Sequence, residues 1–361
     1  MDSIMHLMMH LPADYEEECT KQGAIKRKRG VTSAADLMML AMFHLHNGCS
    51  LMEMSEIAKL TKLGQMSDVA FMKRFEQCGD WFKAINAKIV REEIIGYQKP
   101  TWLDNRTAIA IDATDVAEKG RSGRIYRLHY ALDLFQMNSV QYKITTNKTG
   151  ESLCNFDLHQ GQLVIADRGY ARIKDIQYCE SMDAEYLIRL RKNSFTVRDE
   201  RNQEVDLPAL LAKLGTGESL DLRAYATNLE KSRVPIRICA TRKTTEAIKQ
   251  THQKLHRKES KKQIEISDEA KTFNEYIVLV TNLPDTVSAA EAFEAYRFRW
   301  QIEMCFKRLK SIMDFGELPK RREKSVIAWL NGKIMIALLI EKMISKSTFT
   351  PAEYSEQECM A

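Results

Sequence analysis

Apolar positions follow a helical spacing over residues 1 to about 100 and then, near residue 107, change to a strand spacing. Leu51, Met54, Ile57, Ala58 and Leu60 recur every three or four positions, as do Val69, Met72 and Phe75. Ser33, Ser50 and Ser67 stand where helix N-caps belong, and Asn47 with Gly48 closes the first of these three helices. Gly64 marks a short turn between the second and third, giving the outline of a helix-turn-helix. Lys73 and Arg74 are expected on its outer face, and the basic run Lys26, Arg27, Lys28, Arg29 is near it in sequence. A small helical bundle of any kind has the same outline, and a basic run alone also reads as a solvated loop.

Residues 107–112 form a short apolar strand ending in Asp112. Tyr126, Leu128, Tyr130, Leu132 and Leu134 alternate with Arg127, His129, Ala131 and Asp133, and Val140, Tyr142 and Ile144 alternate again. Three consecutive strands predict an antiparallel meander. Residues 163–167 are a fully apolar strand that also ends in an acid, Asp167, followed by Arg168, Gly169 and Tyr170. A helix over 171–182 and a strand over 186–190 are predicted next. From 193 to 287 the pattern becomes mostly β, with strands at 220–224, 234–240 and 276–281. Between the last two lies a polar, helical arm, 241–262, with eight Lys/Arg against two Glu. A helix is expected over 287–313, then a basic cluster of Lys320, Arg321, Arg322 and Lys324, a final helix, and a loose tail after Ser345. The predicted division is therefore 1–100, helical and DNA-binding; 101–192, first part of the core; 193–287, β-rich insertion with a basic arm; 288–345, last part of the core; and 346–361, tail.

Composition narrows the function without identifying it. The chain has 361 residues, 44% hydrophobic and 29% charged, as expected of a water-soluble globular protein of two or three domains. A net charge of +5 is only mildly basic, so any nucleic-acid surface must come from local patches. No basic stretch precedes an apolar run at the start, so no secretory signal is expected. The apolar stretch 326–344 contains Asn331, Lys333, Glu341 and Lys342 and reads as a buried or amphipathic helix, with no membrane span expected. The eight cysteines show no C-x2-C spacing and no zinc set, which suits a reduced cytoplasmic protein. His44 and His46 lie in an apolar run and read as ordinary helix residues.

The chemistry concentrates in Tyr296, Arg299, Glu303 and Lys310, spaced Y-x2-R-x3-E-x6-K. On one continuous helix these four fall at about 0°, −60°, −20° and −40°, a single stripe. Lys307 joins it at about +20° and Trp300 flanks it at about +40°; Trp300 suits core packing and base stacking equally. Phe298, Ile302, Cys305, Leu309 and Ile312 lie on the opposite, core-facing side. If the strands ending in Asp112 and Asp167 are neighbours, both carboxylates emerge at one sheet edge, where Glu303 can reach them. Three carboxylates without His or Cys make a hard-oxygen site suited to Mg²⁺, with Mn²⁺ as the alternative. Two such ions roughly 3.5–4 Å apart support in-line displacement at phosphorus. Asp115 competes with Asp112 for the first position, and Asp167 with Arg168 also reads as a simple ion pair.

The order of elements is that of a ribonuclease-H-like fold: α/β, a mixed sheet flanked by helices, interrupted by a mostly β insertion and preceded by an all-α domain. At Ala110–Thr114, Ala166–Tyr170 and Tyr296–Lys310 the chain resembles the DDE transposases of bacterial insertion sequences, in the IS-four-like group with the Tyr–Arg–Glu–Lys signature. The resemblance implies a metal-binding catalytic triad of Asp112, Asp167 and Glu303. It implies DNA contacts by Tyr296, Arg299 and Lys310, with Lys307 and Trp300 beside them. It further implies a homodimer on DNA that recognises terminal inverted repeats and joins the element to target DNA in the bacterial cytoplasm, at the nucleoid. In this group the freed 3′-hydroxyl commonly makes a hairpin before strand transfer. A catalytically silent DNA-binding derivative and a nuclease of the same fold are the competing functions.

Overall fold

The structure is a computed structural model and describes residues 2–27, 29–90, 99–118, 125–137, 139–215, 217–227, 233–312, 317–318 and 322–346. The first elements are α1 (Asp2–Met8), α2 (Tyr15–Lys21), α3 (Ala34–His46), α4 (Leu51–Leu60), α5 (Asp68–Glu76) and α6 (Gly79–Val90). Next come β1 (Thr107–Glu118), β2 (Ile125–Asp133), β3 (Ser139–Thr146), β4 (Gln162–Ala166), α7 (Ile173–Ser181) and β5 (Glu185–Arg189). They are followed by β6 (Thr196–Arg198), α8 (Leu207–Leu211), β7 (Ser219–Thr227), β8 (Arg233–Arg242), α9 (Thr245–Lys262), α10 (Asp268–Phe273) and β9 (Tyr276–Thr281). The last are α11 (Ala289–Arg297), α12 (Trp300–Ile312), β10 (Glu317–Leu318) and α13 (Glu323–Lys346). The chain is thus a mixed α/β protein with a large mixed sheet. It divides into two compact units: Met1–Tyr97 with Ala113–Thr149 and Met304–Thr350, and Gln98–Asp112 with Gly150–Glu303 and Pro351–Ala361.

In the first unit the three serine caps form as the sequence predicts. Ser33 accepts from the Asp36 amide, Ser67 from the Ala70 amide, and Ser50 with Glu53 makes a reciprocal capping box. The helices close on Phe71, Phe75, Trp81 and Phe82, each 1% exposed or less. α13 packs against α6 and α3. Gly332 permits this approach, because a Cβ there would meet Leu45 Cδ1 at 2.4 Å and Phe82 Cε2 at 3.2 Å. Asn86 donates to Tyr142 Oη and to the Asn331 carbonyl, both at 2.9 Å, tying α6 to β3 and α13.

Several expectations change here. Leu60 and Val69 are 81% and 50% exposed and do not join the helical core, because helix spacing alone does not say which face is covered. Arg74 does not serve as an outer-face cation. Its guanidinium donates to the carbonyls of Ala24, Arg27 and Arg29 and so anchors the basic loop. Lys26, Arg27 and Arg29 stay exposed, while Lys28 lies outside the described residues. His44 is buried, with Nδ1 2.5 Å from the Cys49 carbonyl oxygen and its ring edge-on to Phe71 and Phe75, as a packed helix histidine should be. β2 does not alternate in exposure: from Leu128 onward it is buried on both faces. His129 therefore sits inside, 2.9 Å from Thr145 Oγ1, and burial pushes its pKa down to about 4. Arg322 and Lys324 are exposed; Lys320, Arg321, Met313 and the tail from residue 347 lie outside the described residues. The described cysteines are all free, and no helix among the described residues is long and apolar enough to cross a membrane.

In the second unit the first half of β1 pairs in parallel with β4, and β4 in parallel with β5. β5, β9, β8, β7 and β6 then follow one another antiparallel. The strands expected of the insertion are thus hydrogen-bonded onward from β5 through β9. The basic arm is α9, an 18-residue helix between β8 and β9, capped by Thr244.

A buried carboxyl in the first unit carries a stability prediction. Cys305 Sγ lies 3.7 Å from Glu341 Oε1, and the Glu341 carboxyl is buried although the residue as a whole is half-exposed. Burial raises its pKa to about 7. The folded protein then keeps a proton that the unfolded chain releases above its ordinary value, so this group costs stability as pH rises toward 7. Glu341→Gln should leave stability unchanged at pH 4 and raise it by about 3 kcal/mol at pH 8. Urea unfolding at the two pH values measures the difference, and an equal change at both would contradict the assignment.

Candidate active site

β1 and β4 hold the two aspartates in place. Their parallel register runs from Thr107↔Gln162 to Ile111↔Ala166, and the next residue on each strand is Asp112 and Asp167. The two half-buried acids therefore leave the last paired residues, Ile111 and Ala166, at the same level, Asp112 within β1 and Asp167 just after β4. β1 does not end at Asp112 as the apolar run suggests but continues to Glu118, because its second half has β2 and β10 beside it. Asp115 is engaged elsewhere: Arg127 holds it bidentately at 2.7 and 3.0 Å.

The loop after β4 shapes the second acid. The Gly169 amide donates to Asp167 Oδ1 at 2.6 Å. A Cβ on Gly169 would lie 2.9 Å from that oxygen and 2.9 Å from Glu151 Oε2. Glu151 is thus a further carboxylate beside Asp167, not marked in the sequence because it precedes no strand and matches no spacing. Beneath them Tyr170 is fully buried; burial, then Asp112, Glu151 and Asp167, raise its pKa. Asp167 and Arg168 form no ion pair among the described residues. The Arg168 carbonyl instead accepts from Arg191 at 3.1 and 3.2 Å.

The signature stretch is not one helix. α11 stops at Arg297 and α12 starts at Trp300. Across the junction the amides of Phe298, Arg299, Gln301 and Ile302 each bond the carbonyl three residues back. This tighter winding departs from the constant angle of one continuous helix, yet Tyr296, Arg299 and Glu303 still meet on one side. No proline or glycine occurs there, so the local sequence does not announce the break. Tyr296 is buried at the end of α11, with the Arg299 guanidinium 5.7 Å from its ring centroid. Arg299 Nη2 donates to Glu303 Oε1 at 2.5 Å. Burial opposes the Arg299 charge, but Tyr296, Glu303 and Asp112 outweigh it and raise its pKa. Glu303 is half-exposed in the first turn of α12. Lys307 and Lys310 are exposed on the continuation of α12, which belongs to the first unit. Ile302, Cys305 and Leu309 are buried as expected, Phe298 is half-buried, and the Ile312 side chain lies outside the description.

Asp167, Tyr296, Arg299, Trp300 and Glu303 line one cavity of about 830 Å³ within the second unit. Seven cationic side chains and three carboxylates face it, including Arg189 and Lys243, which sequence spacing did not reveal. Among the described residues no three His, Cys, Asp or Glu side chains stand together as a ready metal cage. The paired aspartates are hard-oxygen donors, while Glu303 is held by Arg299.

A family model described as "Transposase DDE domain" matches residues 104–339. The putative transposase InsL of insertion sequence element IS186A of Escherichia coli K12 is 25% identical over 99% of this chain and 98% of its own length. The transposase for insertion sequence element IS421 of Escherichia coli is similar to the same extent, 25% over 99% and 98%. The transposase for insertion sequence element IS231F of Bacillus thuringiensis subsp. israelensis is 25% identical over 55% of this chain and 45% of its own length.

Gly169→Ala tests the tight loop. The added methyl should displace the Glu151 and Asp167 carboxylates and weaken the Asp167–Gly169 amide hydrogen bond, at a cost of about 1 kcal/mol. Thermal unfolding measures this, and a loss above about 3 kcal/mol would mean that the backbone gives way.

Proposed function

The chain belongs to the transposase DDE-domain family, and on that premise we propose that it excises an insertion sequence at its terminal inverted repeats and joins it to target DNA. It is an enzyme of DNA strand cleavage and transfer. The observation that carries the catalytic assignment is the β1–β4 register, which sets Asp112 and Asp167 level, with Glu303 lining the same unit's cavity as Asp167. The succession β1, β2, β3, β4, α7, β5 and a later helix bearing Glu303 supports a ribonuclease-H-like core.

The family implies a divalent metal, and the oxygen-only donors fit Mg²⁺, with Mn²⁺ second. Asp112, Asp167 and Glu303 would hold it, and when bound it would offset the charge that builds at phosphorus. The rest falls to the chain's own side chains. Arg299 is paired with Glu303 and electrostatically coupled to Asp112, so it sits where a scissile phosphate would meet the carboxylates. An incoming phosphate competes for the Arg299 guanidinium and releases Glu303 toward the aspartates. Buried Tyr296 packs beside that guanidinium and limits its freedom. Trp300, Lys307 and Lys310 contact the DNA flanking the cut, and the helical segment 1–100 engages the element ends. One set of carboxylates serves every step: water attacks first and frees a 3′-hydroxyl, and that hydroxyl is the attacking oxygen afterwards. The protein acts as a homodimer on paired ends.

The test is cleavage, in Mg²⁺, of a labelled duplex carrying the inverted repeats that flank the gene. Glu303→Ala should lower cleavage by roughly 100-fold or more while leaving duplex affinity within about threefold, because a metal ligand is lost and the recognition surface is not. Cleavage at the wild-type rate by this variant would remove Glu303 from the triad.

A further inference from the structure

The cavity of the second unit contains two cations that the proposed chemistry leaves unused. Arg189 is the last residue of β5, and Lys243 follows the end of β8. Lys243 is only 4% exposed. Its ammonium donates to Thr251 Oγ1 at 2.9 Å, and its amide to the Glu275 carbonyl at 3.0 Å, so it is fixed in place with a neutral partner. The Arg189 side chain makes no hydrogen bond or ion pair among the described residues. Its charged neighbours are Arg168, Arg299 and Asp167, with Tyr296 beside them.

Arg237 shows how this protein treats a buried arginine that is purely structural. It is 2% exposed, pairs bidentately with Asp221, and donates to the carbonyls of Pro284 and Val287 at 2.8 and 2.7 Å. Arg189 and Lys243 have no such set. A buried cation without a paired anion is costly, and here Lys243 is also repelled by half-buried Arg189. Burial first, then Arg189, Arg168 and Lys254, depress Lys243 to about 8; burial also lowers Arg189. The start of α9, capped by cavity-lining Thr244, adds positive potential on the same side. Cations outnumber carboxylates in the cavity, and the anion that balances them, next to Asp167, is a phosphodiester.

We propose that Lys243 and Arg189 together hold one phosphate of the cleaved DNA strand, adjacent to the reacting phosphate, and so fix the strand's register against Asp167. This rests on the transposase reading. The two residues are positioning residues, and they act by anchoring the strand on which the carboxylates work. Contacts from two elements, β5 and the β8–α9 junction, restrain one phosphate in two directions.

The experiment uses the full chain without divalent metal and a labelled duplex ending in the flanking inverted repeat. Affinity is compared for wild type, Lys243→Met and Lys243→Arg on a series of duplexes, each bearing one neutral methylphosphonate. Lys243→Met should weaken binding about 10-fold or more. At one backbone position the methylphosphonate should weaken wild type by a similar factor and leave Lys243→Met unaffected, and Lys243→Arg should restore sensitivity there. Equal penalties for wild type and Lys243→Met at every position, with unchanged melting temperature, would overturn the proposal, as would failure of wild type to bind the duplex. If Lys243→Met does not fold, Arg189→Gln is read in the same way. A Mg²⁺ cleavage assay on the unmodified duplex separates the two ideas. Cleavage without coupling leaves the transposase and removes the pocket; coupling without cleavage leaves the pocket and removes the transposase.

Discussion

The β1–β4 register is the constraint on which the site depends. Five consecutive pairs, Thr107↔Gln162 to Ile111↔Ala166, set it, and β4 is buried along its whole length. A slip of one residue would exchange the side chains between the two packed faces of β4 and move Asp167 to the other side of the sheet from Asp112. Side-chain packing on both faces of β4 therefore fixes the relative position of two charged groups although neither contributes to it. The Gly169 turn and buried Tyr170 then shape the space around Asp167.

Two like charges held level need a nearby cation. Arg299, bonded to Glu303 and coupled to Asp112, supplies it in the protein alone. Arg127 removes the competing acid Asp115 by a bidentate pair. Across the second unit, buried or half-buried charges are generally matched: Arg237 with Asp221, Arg106 with Glu185, Asp175 with Arg172 and Ser152. The cavity beside Asp167 departs from that pattern, with cations outnumbering carboxylates. A surplus of one sign in a concave site attracts the opposite sign, which for this family is the DNA backbone.

Much of this was legible in the residues, for local reasons. A serine N-cap works through an amide three residues away, so Ser33, Ser50 and Ser67 could be read without any tertiary information. An acid closing an apolar run marks a point where a buried strand reaches polar surroundings, which located Asp112 and Asp167. The errors arose where a distant partner decides. Arg74 looked like a free surface cation until three carbonyls from the 24–29 loop met it. Val69 and Leu60 kept helical spacing yet lie exposed. Strand β2 alternates in sequence, but elements cover both of its faces.

The sequence alone determined the secondary structure in outline, the two acids that close apolar runs, the Tyr–Arg–Glu–Lys stretch and the family resemblance, because each is a property of neighbours a few positions apart. Tertiary structure decided that the stretch breaks between α11 and α12, that Glu303 is held by Arg299, and that Glu151 stands beside Asp167. It also brought Arg189, at the end of β5, and Lys243, just after β8, into one cavity. Those outcomes depend on strand order and on burial of charge between segments remote in sequence, and no periodicity along the chain encodes either one.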